Sequence, residues 1–140
     1  MSNLSNNFIA GDWVKGSSSI SNINPSDTND VIGEYAQASN APLDDALNSA
    51  KMAQKQGAAT GLEQRQAVLM KIGEGRMARS AELGELLSRE EGKPVAEGKG
   101  EVYRAGQFFT YYAAEVLRQS GDTADSVRPN IEIDVRREPM

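Results

Sequence analysis

Residues 92–117 read GKPVAEGKGEVYRAGQFFTYYAAEVL, and this stretch decides the fold. Gly92 followed closely by Pro94 stops one helix and opens the next. Beyond it, Val95, Val102, Ala105, Phe109, Tyr112, Ala113, Val116 and Leu117 recur at helical spacing. They form one apolar stripe over about six turns. Gly98, Gly100 and Gly106 weaken such a helix unless a neighbouring element approaches it closely. The aromatic cluster Phe108, Phe109, Tyr111 and Tyr112 is expected to pack against neighbours rather than to cage a ligand.

Working back from Gly92, Ser80 opens a helix carrying Leu83, Leu86 and Leu87. Before it, Leu62 to Arg79 forms another, with Leu62, Leu69, Ile72 and Arg76 on one face. An earlier helix starts near Pro42, where Leu43, Ala46, Leu47, Ala50 and Ala53 keep the period and Asn40 serves as cap. Asp44 and Asp45 lie toward its positive end, and Gly57 and Gly61 bound it. The first forty residues are different. Phe8-Ile9-Ala10-Gly11-Asp12-Trp13-Val14 reads as a hairpin turning at Gly11-Asp12, followed by a polar connector, Gly16 to Ser19. Ile20 and Ile23 lead into the turn Asn24-Pro25-Ser26-Asp27, and Val31 to Ala36 reads as a strand. At the other end, residues 120–129 read as a loop. Ile131 to Arg136 then alternates apolar and polar as a half-buried strand does, with no partner strand expected nearby. The class is α/β, dominated by about four helices.

Composition narrows the chemistry. The 140 residues contain no cysteine and no histidine. Thiolate nucleophiles, disulfides, imidazole bases and His- or Cys-ligated metals are therefore excluded for this chain. Fifteen Lys and Arg against twenty Asp and Glu give a net charge of −5 with both signs interspersed. That balance argues against nucleic-acid binding. The first residues have neither a basic nor an apolar region of a signal peptide, and the longest apolar run, Ala67 to Met70, is too short to span a bilayer. No membrane partner and a cytoplasmic location are expected.

Individual motifs fail on context. Gly73-Glu74-Gly75-Arg76-Met77-Ala78 satisfies the G-x-G-x-x-A string, but it sits inside a helical pattern. A dinucleotide site needs a strand before it and a helix opening on it. No phosphate loop and no S-x-x-K pair occurs, and Asp27, Asn29 and Gly33 miss calcium-loop spacing. Glu90 and Glu91 diverge as neighbours on a helix. Scattered acids without a sugar groove argue against a carboxylate-only glycosidase.

Taken in order, several pieces together resemble the opening of the aldehyde dehydrogenase superfamily. They are Phe8-Ile9-Ala10-Gly11-Asp12-Trp13, Asn24-Pro25-Ser26-Asp27, Val31-Ile32-Gly33, Arg65, Glu90-Glu91-Gly92-Lys93-Pro94, Tyr111-Tyr112-Ala113 and Arg137-Glu138-Pro139. The register holds from about residue 8 to the last residue. Residues 24–36 and 100–107 are most similar to bacterial α-ketoglutaric semialdehyde (2,5-dioxovalerate) dehydrogenases. Family members are several times longer. Their Pro-Trp-Asn-Phe-Pro motif, dinucleotide fold, general-base Glu and nucleophilic Cys all come later in the chain. The resemblance implies thiolate attack on an aldehyde, hydride transfer to NAD or NADP, and hydrolysis of the thioester.

On that resemblance, residues 1–120 are the N-terminal part of the cofactor-binding domain: a hairpin and covering helices, without a dinucleotide fingerprint. Residues 121–140 are a loop and the start of an oligomerisation strand, with Ile131, Ile133 and Val135 pairing across subunits. The remainder of the same polypeptide is the other partner. Some members bind a monovalent cation through a carbonyl near the position of Ile23 and a carboxylate near that of Glu101, which makes these two the candidate metal site. The Trp common between the first two helices gives way here to Gly57-Ala58-Ala59. The expected function is thus the N-terminal fragment of an NAD(P)-dependent aldehyde dehydrogenase, without catalytic or cofactor-binding residues of its own. The competing reading is a small helical interaction module docking through residues 95–117 and 131–135.

Overall fold

The computed structural model describes residues 4–118 and 120–138. Five short strands come first: β1 Leu4–Ser5, β2 Asn7–Ile9, β3 Asp12–Val14, β4 Ser18–Ile23 and β5 Val31–Gln37. Four helices follow: α1 Asn40–Ala59, α2 Leu62–Ala78, α3 Ser80–Glu91 and α4 Val95–Val116. A ribbon of β6 Asp122–Asp125 and β7 Glu132–Val135 closes the order. The α/β, helix-dominated class holds.

The core lies where α4 packs on α2 and α3. Its seam joins glycines to only part of the stripe that the periodicity picks out. On α4 the buried positions are Gly98, Val102, Gly106, Ala113 and Val116. Val95, Tyr112 and Leu117, expected in the stripe, are exposed. The same offset recurs on α2, where Gly73 is buried and Leu62 and Ile72 are exposed, and on α3, where Gly84 and Ser88 are buried and Leu86 is exposed.

Close approach is the cause. A Cβ on Gly106 would stand 2.5 Å from Met77 Cγ and 2.8 Å from the Gly73 carbonyl oxygen. One on Gly84 would stand 2.5 Å from Lys99 Cα, and one on Gly98 would stand 2.4 Å from the Gly84 carbonyl oxygen. Helix backbones meet at two points with no side chain between them. Gly100, on the same helix, faces open space, so the expected close approach explains two of the three glycines.

The helix ends are legible in part. Gly92 adopts φ 75° and its N–H donates to the Ser88 carbonyl at 2.8 Å, the left-handed C-terminal stop that the sequence announces. Asn40 is already helical: the flanking residue is Ser39, without a side-chain bond, and Gly57 lies in the last turn of α1 instead of beyond it. Nothing on α1 is buried.

The strands bring the corrections. β2 and β3 pair antiparallel with Ile9 opposite Asp12, so the hairpin turns at Ala10-Gly11, one residue earlier than expected. Both turn residues have positive φ, 54° and 97°, which matches the twist of a two-residue hairpin. Ser18 and Ser19 belong to β4, not to a connector. β4 pairs antiparallel with β5, and β1 pairs parallel with β5, in the order β1-β5-β4. Polar cross-strand pairs hold β4, among them Ser21 Oγ donating to Glu34 Oε1 at 2.5 Å and Ser18 Oγ to Gln37 Oε1 at 3.1 Å. Such pairs leave no apolar alternation to read.

Residues 120–129 are not simply a loop, and the terminal strand does have a partner within the chain. β6 pairs antiparallel with β7, Asp122 opposite Val135 and Asp125 opposite Glu132. The Asp-Thr-Ala-Asp segment is short and polar, so hydropathy hides it. Ile131 falls just before β7, and Asn130 makes the turn at φ 60°. Ile131, Ile133 and Val135 are all exposed.

Candidate functional site

Two neighbouring features stand out: the α3–α4 corner and the groove beside it. At the corner, Ser88 is buried and donates its Oγ hydrogen to the Gly84 carbonyl at 2.8 Å. The loop between β4 and β5 arrives from the other side. Arg89 donates from Nε and Nη2 to both carboxylate oxygens of Asp30, at 2.9 and 2.6 Å. Ser26 Oγ donates to the Gly92 carbonyl at 3.1 Å, and Asn22 Nδ2 to Glu90 Oε1 at 2.8 Å. Within that loop the Asn24 carboxamide oxygen accepts from the Ser26 N–H at 2.9 Å, so the Asn-Pro-Ser-Asp turn builds the landing surface.

Glu101, the expected cation-ligating carboxylate, lies on the first half of α4 and accepts from Lys93 Nζ. Lys93 also pairs with Glu91 at 2.5 Å, and its side chain is only 16% exposed. Ile23 ends β4 at a register shift against β5. The charge opposite Glu101 is thus an ammonium. Among the described residues no group of three or more acids is placed to hold a metal ion.

The groove runs between α2, α3 and α4 with a volume of about 690 Å³. Leu83, Leu86, Leu87, Val102 and Phe108 supply its apolar lining. Val102 is buried at the seam; the leucines and Phe108 are large side chains that the glycine contacts leave at its margin. Beside it, Arg104, Gln107, Phe108, Tyr111 and Tyr112 line a recess of about 410 Å³. Arg104 stacks on Phe108 at 5.2 Å and Arg76 on Phe109 at 5.3 Å, while Tyr111 and Tyr112 meet edge to face. The aromatic cluster therefore forms a half-open surface, not a buried core.

Electrostatics at these places serves architecture. The Arg89 hydrogen bonds, helped by Asn24, hold Asp30 at a pKa of about 2. Arg79 lowers Glu82, and their carboxylate partners raise Arg79, Arg89 and Lys93. Each shift favours the charged form. A general acid needs the reverse. Gly73 to Ala78 forms the C-terminal end of α2, where a helix presents its negative pole, so no helix N-terminus opens on that glycine string and its residues do not fit a dinucleotide phosphate. Sequence reasoning did not find the Asp30–Arg89 pair. Its only signal was the turn that delivers Asp30.

The fold defines an α/β unit whose helices are sealed by glycine contacts and whose large apolar side chains face outward. A model of the aldehyde dehydrogenase family matches residues 13–140. The chain is 36% identical to an α-ketoglutaric semialdehyde dehydrogenase of Bacillus subtilis, over 96% of this chain and 28% of that protein. It is 31% identical to a human mitochondrial methylmalonate-semialdehyde/malonate-semialdehyde dehydrogenase, over 95% of this chain and 25% of that protein. Among solved structures, an NAD-dependent benzaldehyde dehydrogenase from Corynebacterium glutamicum superposes with a TM-score of 0.81 at 34% identity, covering 91% of this chain and 28% of that one. An aldehyde dehydrogenase from Brucella melitensis biovar abortus 2308 gives a TM-score of 0.83 at 29% identity, covering 89% and 26%. The chain belongs to the aldehyde dehydrogenase family. It spans under a third of the length of the curated relatives it matches, 28% in the Bacillus subtilis case.

Proposed function

We propose that these residues form the N-terminal scaffold of an NAD(P)-dependent aldehyde dehydrogenase that oxidises a semialdehyde, such as α-ketoglutaric semialdehyde, to a carboxylate. One observation carries this reading: a chain aligned along 96% of its length with a semialdehyde dehydrogenase contains no cysteine to act as nucleophile. NAD or NADP supplies the hydride acceptor in the whole enzyme. The residues described above offer it no phosphate cradle, so no step of the chemistry is assigned to them.

Their contribution is packing. The outward-facing Leu83, Leu86 and Phe108 groove is the surface that the remainder of the polypeptide covers, which excludes water from apolar side chains that are otherwise partly exposed. The β6–β7 ribbon keeps one β7 edge free of β6. Its exposed Ile133 and Val135 support assembly between subunits through this ribbon. No described helix is long and apolar enough to cross a membrane, and a cytoplasmic enzyme fits this reading.

The test is a chimera in which this chain replaces the aligned segment of the Bacillus subtilis relative. The chimera is expected to oxidise α-ketoglutaric semialdehyde with NAD(P)H formation followed at 340 nm, whereas the 140-residue chain alone gives none. Aldehyde-dependent reduction by the isolated chain would overturn the scaffold reading. A soluble but inactive chimera would overturn the functional equivalence of the two segments.

A further inference from the structure

The three-stranded sheet β1-β5-β4 and the helical layer meet in an unusual way. No residue of the three strands is buried, whereas α4 alone carries five buried positions. Ile20, Ile23 and Val31 are exposed by 56, 46 and 50%, and Ile32, Tyr35 and Ala36 of β5 are only partly buried. The described bonds that cross from this sheet and its loop to α3 are polar and fall within four consecutive residues. They are Asn22 to Glu90, Arg89 to Asp30 through both carboxylate oxygens, and Ser26 to the Gly92 carbonyl. Gly92 itself makes room for the landing loop, since a Cβ there would stand 2.8 Å from Ser26 Oγ and 2.9 Å from Pro25 Cγ.

We infer that the β1-β5-β4 sheet is a latched flap, a unit that opens from the helices without unfolding them, and that the Asp30–Arg89 pair at the α3–α4 corner is its latch. The physical argument is a contrast of bonding types. Apolar burial ties α2, α3 and α4 into one cooperative block, because separating any two exposes the seam. The sheet is joined to that block by a small set of hydrogen bonds whose partners recover water when they part. Once undocked, a sheet this small does not persist, so its amides lose protection together.

Native-state amide hydrogen exchange on the 140-residue chain tests this. The β4 and β5 amides are expected to exchange as one group, with a smaller denaturant dependence than the amides around Val102 and Ala113 of α4. Asp30→Asn destabilises only the docked state, so it is expected to speed the strand amides by about fivefold and those of α4 by no more than the same factor. Equal protection and equal denaturant dependence of sheet and α4 in the unsubstituted chain would overturn the flap, without recourse to any variant. A flap that opens separately but is indifferent to Asp30→Asn would overturn the latch.

Discussion

The α2–α4 crossing and the β6–β7 ribbon are stabilised in opposite ways. At the crossing, Gly73 and Gly106 let two helix backbones touch, and the contact lies inside the protein. In the ribbon every residue of both strands is exposed, and main-chain hydrogen bonds alone hold the register. The crossing is therefore intolerant of added atoms. The ribbon is tolerant of nearly any side chain as long as nothing else must dock on it. This contrast separates residues that make the fold from residues that make an interface.

The sharpest way to break it is to fill the crossing. Gly106→Leu is expected to cost about 3 kcal/mol of stability through overpacking against Met77 and the Gly73 carbonyl. It should show as a lower urea midpoint with an unchanged slope. Gly100→Ala, six residues away on the open side of the same helix, is expected to stabilise by about 0.5–1 kcal/mol, because it only restricts the unfolded chain. A loss of stability at Gly100 would mean that the helix face has been misassigned.

A smaller effect is expected at the sheet–helix corner and depends on pH. Asp30 is held at about 2 when folded and ionises near its ordinary 3.8 when unfolded. Its pair with Arg89 thus contributes fully above pH 4 and fades as pH falls from about 4 to about 2. The melting temperature of Asp30→Asn should lie a few degrees below that of the unsubstituted chain at pH 7 and converge with it by pH 2. Convergence at higher pH instead would remove Asp30 as the titrating group. The smallest effect falls on the ribbon: Ile133→Lys is expected to change the stability of the 140-residue chain by less than about 0.5 kcal/mol. In the chimera it should shift the sedimentation profile toward smaller species. An unchanged profile would detach β7 from assembly.

Legibility in the sequence divides along similar lines. The four helices could be read because apolar residues every three or four positions mark a helix whichever face is buried. Gly92-Lys93-Pro94 placed one boundary to the residue. The face could be read only in part: Val102, Ala113 and Val116 of the α4 stripe are buried, but the glycines that complete the seam lie outside the stripe. Hydropathy points to Leu62, Ile72, Leu86 and Tyr112, whereas close packing favours Gly73, Gly84, Gly98 and Gly106, which carry no hydropathy signal. β4 and β6 were missed for a related reason: serine and aspartate strands pair through backbone and hydroxyls, without alternation. The family could be read from an ordered series of weak motifs. The Asp30–Arg89 pair could not, since its partners stand 59 residues apart and only the fold unites them.

The junction of α1 and α2 carries a further consequence. Arg65 reaches back from α2 to donate from Nη2 to the Ala58 carbonyl at 2.6 Å, while Thr60 Oγ1 donates to the Gly57 carbonyl. The guanidinium thus meets the negative pole of α1, and no bulky side chain is needed to wedge the corner. A bond to a backbone carbonyl is blind to which side chain that residue bears but sensitive to its distance along the chain. The Arg65 tether is consequently indifferent to the side chain at position 58 and sensitive to the length of the turn, in which only Thr60 adds a side-chain bond, accepting from Arg65 Nε at 3.4 Å. A substitution at Ala58 leaves the tether in place, whereas one inserted residue cuts it.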